Sequence, residues 1–211
     1  MKIIPFAEFN LVHLAEFQPI KLRQGVRKKG DKIPIINCIS AFDIETSHEP
    51  FEYEEVHHKL GTKVALKQGV VERKLVPPIS WMYHWQWCFG DKFIVTGRTW
   101  EEFRQLIDAI RQFMTKGTSK IVVYVHNLSY EFQYLRGIYD FTATEVFAVK
   151  SRRVLKCSMY NEIEFRCSAL LTNMSLDAFT HKYNCPHAKR TGELDYDQTL
   201  YPFSPLTDIQ V

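Results

Sequence analysis

The feature that most constrains the fold is an apolar run that begins near Ile33 and ends in two carboxylates one residue apart, Asp43 and Glu45. Residues 38–47 predict a β-strand, in which residues i and i+2 point to the same side. Asp43 and Glu45 would therefore project together, with Ile44 turned into a core. Two like charges this close are unfavourable unless a cation lies between them, which favours a hard divalent ion, Mg²⁺ or Mn²⁺. The alternative is an exposed strand end with two solvated acids.

Composition narrows the class of protein. The chain has 211 residues, and the hydrophobic and aromatic fractions of 45% and 14% predict a globular domain, with or without an appendage. No apolar run approaches the roughly 20 residues that span a bilayer, so no membrane partner is expected. The start lacks the pattern of a secretory leader. The five cysteines form no CxxC pair, which favours reduced thiols and a cytoplasmic protein: Cys38, Cys88, Cys157, Cys167 and Cys185.

Charge divides the chain into two parts. We predict a basic N-terminal extension over residues 1–36 and a main domain over residues 37–211. The extension carries a cluster of cations at Lys21, Arg23, Arg27, Lys28, Lys29 and Lys32. Such a cluster either contacts phosphates or forms a solvated loop. The overall net charge of +3 is too small to identify a partner.

The order of predicted elements indicates a mixed α/β domain. Residues 48–76 are polar and predict a long excursion between strands. Residues 79–89 and 92–96 predict a β-hairpin, and we expect Trp81, Tyr83, Trp85 and Trp87 on one face of its first strand. Thr99 and Glu102 form a capping box that begins an amphipathic helix. A buried strand at 121–125, a second helix, strands over 145–160 and 163–171, and a short helix capped by Ser175 follow.

A third acid, Glu131, follows the buried strand at 121–125. If that strand neighbours the first, Glu131 can face Asp43 and Glu45 across one metal site, since two-metal sites need several carboxylates. The alternative is a Glu in a first helical turn that interacts only with the helix dipole.

Four ordered segments resemble the 3′→5′ exonuclease domain of protein-primed family B DNA polymerases, found in small bacteriophages, linear plasmids and mobile elements. DIET at 43–46 fits the D-x-E pattern of the first exonuclease motif. HNLSYEF at 126–132 is similar to the second motif, N-x-x-(F/Y)-D. SLDAF at 175–179 resembles an S/T-L-x-x-hydrophobic segment that lines the single-strand path, and GELDY at 192–196 resembles the segment after it.

The resemblance implies a fold and a reaction. The fold is ribonuclease H-like, a mixed five-stranded sheet flanked by helices, with the D-x-E pair on its central strand. The reaction is removal of a 3′ nucleotide by two divalent ions, with single-stranded DNA as partner and a terminal (priming) protein as a further one. Asp43, Glu45 and Glu131 would be the catalytic metal ligands. The residues implied to hold the DNA are Thr46, His126, Asn127, Tyr130, Ser175, Leu176 and Lys189.

The sequence departs from the family pattern at three points. Glu131 stands where the family usually has Asp. Thr191 replaces a lysine before the GELDY segment, and Lys189, two residues earlier, is the candidate substitute. The third motif, Y-x-x-x-D, has no match before Val211. The resemblance therefore implies a C-terminally incomplete exonuclease region with weak or no activity. The alternative is a non-catalytic protein that uses this fold to bind nucleic acid or protein.

Overall fold

The computed structural model of the chain describes residues 1–20, 33–50, 52–58, 70–76, 78–114, 119–186 and 198–207. The strands within these ranges are β1 (Lys2–Pro5), β2 (Pro19–Ile20), β3 (Ile35–Ile36), β4 (Ser40–His48), β5 (Glu52–His58), β6 (Val70–Val76), β7 (Ser80–Phe89), β8 (Phe93–Gly97), β9 (Ile121–Val125), β10 (Val146–Lys150), β11 (Arg153–Met159) and β12 (Ile163–Cys167). The α-helices are α1 (Trp100–Phe113), α2 (Glu131–Leu135), α3 (Ala169–Thr172) and α4 (Leu176–Lys182), and two 3-10 turns cover Phe6–Glu8 and Leu11–Leu14.

One mixed sheet organises the described residues. Its order is β1-β8-β7-β4-β9-β12-β11-β10, so the strand that carries the two acids lies inside it. β4 runs antiparallel to β7 and parallel to β9, and β9 runs parallel to β12. The predicted α/β class is confirmed. None of the helices in this part of the chain is long and apolar enough to cross a membrane.

The predicted hairpin is present as β7 and β8, which pair antiparallel. Trp85, Trp87 and Phe89 are fully buried, and Phe103 of α1 packs against both tryptophans. A β-bulge interrupts the pairing of β7 with β4, because Glu45 lies opposite His84 while Thr46 lies opposite Met82. The extra residue reverses the alternation of β7 beyond this point. The prediction that Trp81 shares a face with Trp85 and Trp87 is therefore wrong.

Helix α1 begins where the capping box predicts. The Thr99 hydroxyl accepts a hydrogen bond from the Glu102 backbone N–H at 3.2 Å, and the Glu102 carboxylate accepts one from the Thr99 N–H at 2.9 Å. The helix buries one apolar face against the sheet through Phe103, Leu106, Ile107 and Ile110. This face holds the helix in place, and the cap fixes its first turn.

Removal of the Thr99 cap gives a first testable prediction. We expect Thr99→Ala to lower the free energy of unfolding by about 1 kcal/mol, because the Glu102 N–H loses its acceptor. Thr99→Ser keeps the hydroxyl and serves as the control. Chemical denaturation would measure both variants, and equal stability of the two would show that the hydroxyl does not stabilise the helix.

Residues 2–17 pack onto the main sheet. β1 pairs parallel with β8, and Ile4, Leu14 and Phe17 are buried in the common core. Ile36 on β3 joins this core as well. The described parts of the predicted extension thus contribute to the main fold, while its basic cluster at 21–32 lies outside the described residues.

Two further segments differ from the sequence prediction. The excursion over 48–76 contains an antiparallel pair, β5 and β6, whose register joins Glu52 to Val76 and His58 to Val70. The single strand predicted over 145–160 is two strands, β10 and β11, joined at a turn that contains Arg152 with φ of 59°. A positive φ at a non-glycine residue is uncommon, so this turn could not be predicted from the residues around Arg152.

Candidate carboxylate site

Strand β4 presents its acids on the face opposite to the core. Phe42 and Ile44 are buried, at 3% and 5% exposure, whereas Asp43 is exposed and Glu45 is half-buried. Alternation along the strand places Asp43 and Glu45 on the same face, as predicted. β4 pairs with β9 only through Ser40 and Ala41. The acids therefore lie beyond the end of that pairing.

The chain that follows β9 brings Glu131 to these acids. After Val125 it turns at Asn127, which has φ of 68°, and is anchored by the fully buried Leu128. The Leu128 carbonyl accepts a hydrogen bond from the Phe132 N–H at 2.9 Å, which starts α2. Glu131, in the first turn, is only 3% exposed, and its Oε2 has no hydrogen-bond partner.

The electrostatics of Glu131 show that Asp43 is its neighbour. Burial raises the pKa of Glu131 to about 8, a backbone hydrogen bond opposes the rise, and the charge and hydrogen bonding of Asp43 add to it. Without a cation, the Glu131 carboxyl is therefore mostly neutral at pH 7. A buried carboxyl with an unpartnered oxygen beside a second carboxylate is a suitable pair of ligands for a hard cation.

The structure brings two of the three predicted ligands together. Within the described ranges, no three His, Cys, Asp or Glu side chains converge closely enough to hold one ion. Glu45 lies two residues along β4 from Asp43. Mg²⁺ commonly keeps several waters and takes only one or two carboxylates plus substrate phosphates, so the Asp43–Glu131 pair fits such an ion.

Two predicted DNA-binding residues, each adjacent in sequence to one of the acids, contact each other. The hydroxyls of Thr46 and Tyr130 are hydrogen-bonded to each other. The next turn of α2 also contacts the sheet, since the Tyr134 hydroxyl lies 3.0 Å from the Ser80 Oγ. The Tyr130 ring is 43% exposed. Burial, together with neighbouring Tyr134 and Glu131, raises the pKa of Tyr130 to about 12, so its phenol stays neutral at ordinary pH.

The remaining predicted DNA-binding residues lie in the turn before α2, at the start of α4 or outside the described residues. His126 and Asn127 lie in the turn before α2, where the His126 Nδ1 is 3.3 Å from the Ser168 Oγ. Ser175 caps α4 by accepting a hydrogen bond from the Ala178 N–H, and Leu176 beside it is 41% exposed. Lys189, Thr191 and the segment at 192–196 lie outside the described residues.

Sequence reasoning missed His84, which lies directly opposite Glu45 on β7. It is 2% exposed, and neither ring nitrogen has a hydrogen-bond partner. Burial, with the charge of Arg98, lowers the pKa of His84 to about 4, so the ring is neutral. Only the register of β4 against β7 reveals this neighbour, because the aromatic pattern around it predicts an ordinary core strand.

No family model, curated protein or solved structure matches this chain.

Proposed function

We propose that the chain is a metal-dependent 3′→5′ exonuclease region of the kind found in protein-primed family B DNA polymerases, acting on single-stranded DNA. The observation that carries the proposal is the buried Glu131 carboxyl, whose Oε2 lacks a partner and which has Asp43 as its neighbour. A buried unpaired carboxyl oxygen is costly, and a Mg²⁺ or Mn²⁺ ion would remove that cost.

The arrangement of strands supports a ribonuclease H-like fold. Five consecutive strands of the sheet are β8, β7, β4, β9 and β12, and the acidic strand β4 is the middle one. This group is mixed, since β4 is antiparallel to β7 and parallel to β9. The resemblance of the D-x-E and second-motif segments implies such a sheet with the acids on its central strand.

The residues of the site have separate tasks in this proposal. Asp43 and Glu131 would hold a Mg²⁺ or Mn²⁺ ion, and Glu45, on the same face of β4 as Asp43, would face the substrate phosphate. A divalent ion held there would supply activation of a water and stabilisation of the leaving 3′-oxygen. Tyr130, with its ring partly exposed and its hydroxyl fixed by Thr46, stacks on a base of the single strand. His126 and Asn127 offer polar groups to phosphate or sugar.

Hydrolysis by this chain is expected to be slow. The sequence contains no Y-x-x-x-D segment, so the fourth carboxylate and the tyrosine of the third motif are not supplied within it. A non-catalytic nucleic-acid-binding protein is the second candidate. It is favoured by the convergence of only two acids in the described part of the chain. Contact with a terminal protein stays a prediction from the resemblance.

Titration with Mn²⁺ tests the metal site. We expect wild-type chain to bind Mn²⁺ and Asp43→Asn to bind it at least about tenfold more weakly, because the neutral amide is a poorer ligand than the carboxylate. Asp140→Asn, which changes an exposed carboxylate elsewhere, is the matched control and should bind like wild type. Electron paramagnetic resonance of free Mn²⁺ would measure the affinities.

The outcomes separate the two candidates. Absence of Mn²⁺ binding by the wild-type chain contradicts the metal site. Slow release of nucleotides from the 3′ end of single-stranded DNA, lost in Asp43→Asn and kept in Asp140→Asn, supports the exonuclease. Mn²⁺ binding without any such release favours the binding protein.

A further inference from the structure

Three aromatic side chains, Trp81, Tyr201 and Phe203, form an aromatic ladder at the start of β7, the antiparallel neighbour of the acidic strand β4. The Trp81 and Tyr201 rings stack with centroids 5.0 Å apart and planes 10° apart, and Tyr201 stacks on Phe203 at 5.3 Å and 6°. Exposure rises along the ladder, with Tyr201 at 42% and Phe203 at 84%. Phe203 is the most exposed large hydrophobic side chain among the described residues. The aromatic ladder thus ends in an open ring.

The aromatic ladder rises from the same face of the sheet as the acids. Trp81 lies opposite Ser47 on β4 because of the bulge, and Ser47 shares the face of Asp43 and Glu45 by alternation. The segment that carries Tyr201 is bonded to this face: the Leu200 N–H donates to the Ser47 Oγ at 2.9 Å, and the Trp81 indole N–H donates to the Leu200 carbonyl at 2.7 Å. Four residues of strand separate Asp43 from Ser47, or roughly 13 Å.

Arg98 holds the loop of the aromatic ladder in a fixed shape. Its Nη2 donates to the carbonyls of Tyr201 and Ser204 at 2.9 and 2.8 Å, and its Nε donates to the Tyr83 carbonyl at 2.7 Å. The Ser204 Oγ also accepts a hydrogen bond from the Tyr201 N–H at 2.9 Å. The open ring is therefore presented by a braced loop, and little ordering is needed when a ligand binds.

We propose that Phe203 is a stacking platform for a base of single-stranded nucleic acid. The stacked base belongs to one of the nucleotides that precede the scissile phosphate. The inference rests on the proposed function and adds the path of the substrate strand. A flat exposed ring that already continues two parallel rings suits a planar base, and such stacking is tolerant of sequence. The separation along β4 places this base away from the phosphate held at Asp43 and Glu131.

The test uses an oligothymidylate of about ten nucleotides with 2-aminopurine at an internal position, in the presence of EDTA so that hydrolysis is absent. We expect 2-aminopurine fluorescence to be quenched on binding to wild type, and Phe203→Ala to bind about tenfold more weakly. Phe203→Trp keeps an aromatic side chain at this position and enlarges it, so this variant should bind at least as tightly as wild type. Phe147→Ala, which removes a 58%-exposed ring from β10 at the far edge of the sheet, is the matched control.

The readouts distinguish failure of the platform from failure of the proposed function. If Phe203→Ala and wild type bind the oligonucleotide with equal affinity, the stacking proposal is wrong, whatever the Mn²⁺ titration shows. Loss of affinity in Phe203→Ala supports the platform even if the chain binds no Mn²⁺, in which case the nuclease proposal alone is wrong. Equal weakening by Phe147→Ala would show non-specific adhesion and would also overturn the platform, as would absence of binding by wild type.

Discussion

Replacement of Gly97 by alanine is expected to lower the free energy of unfolding by about 3 kcal/mol or more, the largest effect that we predict for a single methyl group. A Cβ at this position would lie 2.2 Å from Cζ2 of Trp85 and 2.5 Å from its Cε2. Trp85 cannot yield, because it is fully buried between Phe6 and Phe103 and its indole N–H donates to the Thr99 carbonyl. The gain of up to about 1 kcal/mol that alanine usually brings to a strand is smaller than this clash.

A double-mutant cycle identifies the clash as the cause. Trp85→Phe removes Cζ2, the atom that a Cβ at Gly97 would meet at 2.2 Å, at the cost of a cavity and one hydrogen bond. We expect the double variant to be more stable than the sum of the two single changes predicts, by about 1 kcal/mol or more. Denaturant unfolding of the four proteins would measure the coupling. Additive effects would show that Gly97 is required for some other reason.

Part of the fold is predictable from local sequence patterns. Local patterns were sufficient for the hairpin of β7 and β8, for helix α1 with its Thr99 cap and for the buried strand β9. The insertion of one extra residue opposite Glu45 and Thr46 was not visible, because a bulge leaves the aromatic alternation of the sequence unchanged. That single residue moves Trp81 from the core face to the face of the acids.

Individual residues of the candidate site could be predicted from their own segments, but the contacts between segments could not. Asp43 and Glu45 follow from the period of a strand, and Glu131 follows from its place after β9. The meeting of Glu131 with Asp43 depends on β9 being the parallel neighbour of β4, a long-range pairing that local propensity does not encode. His84 and the aromatic ladder are visible only when the register of β4 against β7 is known.

Glu131→Gln is expected to raise the free energy of unfolding by about 2–4 kcal/mol at pH 7.5 in the absence of divalent cations. The unfolded chain releases the Glu131 proton near pH 4.5, and the folded chain keeps it until about pH 8, chiefly because the carboxyl is buried. Between these values the folded chain binds more protons, so its stability falls as pH rises, by at most about 1.4 kcal/mol per pH unit. Glutamine does not ionise, and the variant lacks this loss.

Urea unfolding of both proteins from pH 5 to pH 8 in EDTA would measure the difference. It should be small at pH 5 and grow toward pH 8, which distinguishes the titration of Glu131 from a constant packing effect.

Glu145→Gln is the matched control, because Glu145 is also buried but has the opposite electrostatics. Burial alone would raise its pKa, yet hydrogen bonds from Thr142 and Tyr139 outweigh burial and lower it. The Glu145 carboxylate therefore stabilises the fold at pH values above the pKa that Glu145 has in the unfolded chain. Glu145→Gln should accordingly be less stable than wild type at pH 8. If Glu131→Gln also lost stability at pH 8, the Glu131 carboxylate would already be satisfied by the protein. A cation between Asp43 and Glu131 would then have no unpaired oxygen to bind, and the basis of the metal site would be removed.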